Sequence, residues 1–214
     1  MSPEQTILNG DNVPKEQVQR PEPAEPKLAP PGAGLPFIEW AIAKYILVPQ
    51  RLKTVTFAAA VTEFSAESAA ITALVKPLNE TQMSSRRLIP RLRGLEDSSR
   101  FWSVAMTLQH LVIVNNRVRG VIIGLTHGKT SMPAASTADV KPPVNIDCAG
   151  VLTEFEQTNR DFLDTVSRVD FEKFPRAAFA HPWFGELTAR QWVQFLPLHQ
   201  QIHKKQIEAI INLM

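Results

Sequence analysis

The chain has 214 residues, 44% of them hydrophobic and 21% charged, with a formal net charge of +2; this gives one domain with a sizeable core and excludes a wholly disordered polypeptide. The near-balanced charge comes with no dense Lys/Arg block and little aromatic interleaving, so nucleic acid and anionic membrane surfaces are not expected partners. The lone Cys148 cannot close an intrachain disulfide, and "MSPEQTILNG" lacks the pattern of a signal peptide, which predicts a reduced, cytoplasmic setting.

Residues 1–35 mix prolines at positions 3, 14, 21, 23, 26, 30 and 31 with Glu, Gln and Lys. Too little apolar surface is present to offset the entropy of ordering, which predicts a disordered tail and a domain over 36–214. A short extra helix is expected over about 37–48, ended by Pro49. Its stretch "FIEWAIAKYILV" is broken by Glu39 and Lys44 and is too short to cross hydrocarbon, so it reads as a packing or interfacial helix and no membrane span is expected.

Four longer segments have the three-four apolar rhythm of helices. The first, roughly 54–78, lines up Phe57, Val61, Phe64, Ser68, Ile71 and Val75. The second, roughly 98–127, carries Ser103, Met106, His110, Ile113 and Arg117, and ends where Gly128 can serve as C-cap. A polar connection over about 128–146 has the length of a crossover or an active-site flap. The third segment, roughly 147–168, has Asp147 as N-cap and aligns Phe155, Asn159, Phe162 and Val166. The fourth opens at "LTARQW", where Thr188 and Gln191 have capping-box spacing, and runs to the C-terminus with Trp192, Phe195, His199, His203 and Gln206 facing inward. Pro197 is expected to kink it. The predicted fold is all-α, an up-and-down four-helix bundle.

In "WVQFLPLHQQIHKKQIEAI", His199 and His203 stand four apart on an apolar face. Such residues sit about 6 Å apart on one side of a helix and can converge on one metal ion. Burying them unpaired would cost on the order of 1–3 kcal/mol each. His110 is the remaining mid-helix imidazole and the candidate third ligand. Ser68, His110, Asn159 and the His199/His203 pair all fall near their helix midpoints, which predicts one central cavity with Ser68, Met106, Asn159 and Trp192 as cavity or substrate candidates. Ser68 and Asn159 can equally be satisfied core polar residues. Three imidazoles leave a coordination position open for water or substrate, and suit Zn²⁺, Ni²⁺, Fe²⁺ or Cu²⁺. The missing carboxylate counts against iron, so zinc or nickel is expected.

Competing chemistries are poorly supported. Cys148 has no second cysteine, and no GxSxG, GxxxxGK[ST] or GxGxxG pattern occurs. "RRLIPRLR" is either an anion site at the cavity rim or a packed connector.

The stretches "SSRFWSVAMTLQHLVIVNNRV" and "HPWFGELTARQWVQFLPLHQQIHKKQI" resemble the DinB-like superfamily, the YfiT-type four-helix metal-dependent enzymes, over roughly 54–214. The resemblance implies a divalent metal, zinc or nickel, on His110, His199 and His203, and a bundle that is often a homodimer. It also implies thiol-dependent transfer or hydrolysis on a small-molecule substrate, with a low-molecular-weight thiol as co-substrate. "HPWFGELT" matches the lead-in of one branch, which adds His181 to the site candidates. A non-catalytic bundle binding a small ligand or a protein is the alternative.

Overall fold

A computed structural model of the chain describes residues 25–133 and 136–214, so the first 24 residues of the expected tail lie outside it. Residues 25–35 are not free as expected. They lie against the body, where Ala29 N–H donates to Asp97 (2.8 Å) and Gly34 N–H to Glu96 (2.8 Å). Side-chain acceptors on the body thus hold backbone donors of a segment with little apolar material of its own.

The extra helix begins as α1 (Phe37–Ile42), passes through a π-helical turn at Ala43–Leu47 and continues as α2 (Val48–Thr54). Pro49 therefore does not end it. Proline falls in the first turn of α2, where its missing N–H costs little. The first long helix, α3 (Phe57–Val75), starts at Thr56, whose hydroxyl accepts Ala59 N–H. Short α4 (Glu80–Ser84) and a two-stranded ribbon, β1 (Arg87–Leu88) with β2 (Phe101–Trp102), follow. The ribbon delays the second long helix, α5 (Val104–Thr126), to Ser103, whose Oγ accepts Met106 N–H (3.2 Å). At its far end Gly128 takes φ +78° with Phe174 packed over it, so a Cβ would be both strained and crowded.

The third long helix, α6 (Val151–Arg168), starts later than Asp147, because that carboxylate closes a turn on Ala149 N–H (3.0 Å) instead of capping the helix. An unexpected hairpin, β3 (Ala178–His181) paired with β4 (Gly185–Thr188), leads into α7 (Ala189–Ile211). The Thr188/Gln191 capping box is present. Helix α7 runs unbroken through Pro197.

Mostly helical, the chain is all-α in class, and its core divides into two clusters. One gathers Phe64, Val118, Phe162 and Leu196; the other gathers Ile71, Leu111, Phe155 and Ile207. Each long helix contributes to both clusters, with a buried polar residue between: Ser68 on α3, Asn115 on α5, Asn159 on α6 and Gln200 on α7. Chain order through the clusters shows α3 and α7 running one way and α5 and α6 the other. The up-and-down order expected from sequence is therefore corrected to up, down, down, up. Two parallel neighbours need a return path, and the connection after α5 supplies it: Met132 sits at Gly124, Asp139 O accepts from Arg117 (3.0 Å) and Val140 O lies at His110. Helix α3 is long and apolar enough to span a membrane by composition, yet it packs against α7 and α6 with Phe64 and Ile71 buried.

The polar layer sets a clear test. Asn115 Nδ2 donates to Asn159 Oδ1 (2.8 Å) with both side chains buried. Asn159→Ala should lower the unfolding free energy by about 1–3 kcal/mol in urea titrations, because Asn115 is left unpaired; Asn115→Leu/Asn159→Leu should recover part of that loss.

Candidate metal centre

Helix periodicity places His199 and His203 on one face of α7, with ring centroids 4.5 Å apart. Helix α5 packs across that face in the opposite direction and brings His110 to 4.5 Å from His203 and 5.2 Å from His199, centroid to centroid. One ring nitrogen from each of the three lies within 4.8 Å of the others.

The partners of two of these rings fix their tautomers. His110 Nδ1 lies 2.8 Å from Val140 O. A carbonyl only accepts, so Nδ1 carries the proton and Nε2 presents a lone pair. His203 Nδ1 lies 2.7 Å from Gln206 Oε1, while Gln206 Nε2 donates to Ser99 O (2.7 Å). Gln206 is thereby oriented with its oxygen toward the imidazole, and His203 Nε2 is also left as a lone pair. His199 Nε2 stands 3.2 Å from His110 Nε2, and His199 Nδ1 is buried with no partner among the described residues.

Electrostatics favour the neutral rings. Burial pushes His110 down to about 4 against the opposing pull of the Val140 carbonyl. Burial, then the neighbouring imidazoles, holds His199 and His203 well below the ordinary histidine range. Three neutral imidazoles with converging nitrogens form the donor set that a borderline divalent cation takes. Trp102 backs them, nearly parallel to His203 (7°) and with its ring 5.2 Å from His110.

The rings open into a cavity of about 760 Å³. No described residue of α3 or α6 lines it. The cavity is therefore not the central one expected from the helix midpoints; it lies on the flank of α5 and α7, under the 31–48 segment, the crossover and the β3–β4 hairpin. Ser68 and Asn159 consequently stay in the polar layer between the helices, and Met106 is buried at the start of α5, outside the lining. Helical spacing marks inward positions but cannot say whether a neighbour will lie on the inner or outer flank.

His181 and Trp192 do line the cavity. His181 Nδ1 accepts Trp183 N–H (3.1 Å) within a cage of Phe184, Trp192 and Phe195, apart from the three-imidazole group. Burial lowers its pKa to about 4. Sequence periodicity did not single out the Val140 carbonyl, Gln206 or the Ser99 carbonyl as supports of the histidines. Only the position of Gln206 three residues after His203, on an inward face, offered a signal.

The 31–48 segment is tied across the cavity at several points. Trp40 Nε1 donates to Trp183 O (3.0 Å), Gly94 N–H donates to Glu39 (2.5 Å), and Glu39 also pairs with Arg91.

A family model described as the DinB superfamily matches residues 63–207, covering most of α3 through α7 and all three clustered imidazoles. No curated protein matches the chain.

The buried neutral histidines predict a pH response of the metal-free protein. Unfolded histidines bind protons below about 6.5, whereas His110 and His181 do so only below about 4 in the fold. The unfolded state therefore binds more protons in that window, and stability should fall as pH drops from about 6.5 to about 4. Urea unfolding across this range should show the decline, and His181→Gln should make it shallower.

Proposed function

The chain belongs to the DinB superfamily, and we propose that His110, His199 and His203 hold one divalent metal ion, zinc or nickel, in a metal-dependent enzyme acting on a small molecule. The observation that carries this is the pair of locked tautomers: Val140 O and Gln206 Oε1 take the Nδ1 protons of His110 and His203, leaving two Nε2 lone pairs. A third imidazole nitrogen stands beside them, at 3.2 Å from His110 Nε2. Acceptors fixed on the outer nitrogens are the usual support of imidazole ligands.

A cation held by three imidazoles keeps an open position, where it acidifies a bound water or thiol and polarises an electrophile. The protein's part is to exclude bulk water with Trp102, Trp192 and the 31–48 segment, and to keep the three rings neutral. Both carboxylates lining the cavity, Glu39 and Glu96, are engaged by backbone N–H groups, so neither is free as a general base. That favours a nucleophile needing no protein base, and the reading is thiol-dependent transfer with a low-molecular-weight thiol, or hydrolysis. The four long helices form one four-helix bundle in this reading. A homodimer in the cytoplasm is its setting, supported by the family resemblance and the lone Cys148.

The same engaged carboxylates favour a second reading, a non-catalytic bundle that binds a small ligand. Metal-dependent consumption of a model electrophile by a thiol would separate the two.

Purified protein should carry about one equivalent of zinc or nickel per chain by elemental mass analysis, and His199→Ala/His203→Ala should carry almost none. Equal content in both proteins would overturn the assignment. Gln206→Ala, which frees the His203 ring, should weaken metal affinity about 10–100-fold in a chelator competition.

A further inference from the structure

We propose that the molecule entering this cavity is an amphipathic anion, with an aromatic or aliphatic body lodged beside the imidazoles and a carboxylate, sulfonate or phosphate group at the mouth. The assignment deepens the metal-site reading and rests on it for the chemistry, though not for the recognition of charge.

The interior supplies the apolar half. Trp102, Trp192, Phe195 and Phe184 line it, together with Ile38 and Ile42 of the 31–48 segment. A volume of about 760 Å³ suits a drug-sized ligand. Such a wall accepts an apolar body but rejects a hydrated ion, whose charge would be stripped of water without compensation.

The exposed part of the lining supplies the anionic preference. Two acids and five cations line the cavity in a chain whose net charge is only +2. Both acids are spent: Glu39 on Arg91 and Gly94 N–H, and buried Glu96 on Gly34 N–H (2.8 Å) and the Ser98 hydroxyl (3.1 Å). Of the cations, Arg91 alone is paired among the described residues. Arg93, Arg117, Lys141 and Lys205 are exposed and form no ion pair among the described residues. Arg117 contacts the carbonyl of Asp139, not its carboxylate.

These four come from separate parts of the chain: the loop after β1, helix α5, the crossover and helix α7. Their convergence on one cavity lining is a product of the fold rather than of a basic run in sequence. Low-dielectric walls lined by exposed charges of one sign focus the field and raise the local concentration of anions. An amphipathic anion satisfies both halves at once; a neutral apolar molecule leaves the rim unused.

The test uses two fluorescent probes with the same aromatic body, 1-anilinonaphthalene-8-sulfonate and uncharged N-phenyl-1-naphthylamine, on the full zinc-loaded chain. The sulfonate should bind at least tenfold more tightly, and the advantage should shrink with added salt. In Arg93→Gln/Lys205→Gln and Arg117→Gln/Lys141→Gln, each pair should remove part of the advantage, and the fourfold variant nearly all of it. Binding of the neutral probe and zinc content should stay within twofold. Equal affinities for the two probes in the unaltered protein would overturn the proposal, as would an advantage that survives in the fourfold variant. Repeating the pair of titrations on His199→Ala/His203→Ala keeps the two readings apart: sulfonate preference retained without metal supports the rim, and its disappearance there would assign the preference to the metal instead and overturn the rim.

Discussion

Two hydrogen bonds, from His110 Nδ1 to the Val140 carbonyl and from His203 Nδ1 to Gln206, govern the character of the cavity. Each removes a proton from the side of the ring that faces the site, and together they turn two buried imidazoles into lone-pair donors beside a third. Without those acceptors the rings could choose either tautomer and rotate to suit. With them, the cluster is neutral and oriented. Burial reinforces this, since desolvation is the leading cause that lowers the pKa of all three histidines.

The Val140 bond also explains the topology's place in the function. Val140 belongs to the crossover between α5 and α6, and it reaches His110 only because the two helices run in the same direction and the connection must travel back along α5. A strict up-and-down order would have allowed a short turn there and left His110 without its acceptor. The return path also brings Lys141 to the cavity lining and Met132 against Gly124. The long connection therefore serves as a wall of the site as well as a linker.

The interior of the helices is organised differently. Ser68, Asn115, Asn159 and Gln200 make a polar layer between two apolar clusters, and of these only Asn115 and Asn159 pair with each other among the described residues. Buried polar groups of this kind penalise helix shifts, because sliding one helix would set an amide against Phe64 or Phe155. The DinB superfamily match begins at residue 63, so the segment that roofs the cavity lies outside it. That roof is fastened by Glu39, Trp40 and Arg51 to the loop, hairpin and α7.

The four long helices, the Thr188/Gln191 capping box, the Gly128 terminus and the shared helix face of His199 and His203 were legible in the sequence alone, because all of these depend on helical periodicity or local backbone chemistry. It misjudged Pro49, since whether a proline ends a helix or starts the next turn depends on the hydrogen-bond register before it. It grouped Ser68, Met106 and Asn159 with the histidines, since a shared depth along a helix does not distinguish the inner face of four helices from the outer flank of two. Helix directions, the position of the cavity, the tautomer-fixing acceptors and the gathering of exposed cations on one cavity lining come from packing. Each of these joins residues far apart in the chain, and their meeting is set by packing rather than by any spacing along the backbone.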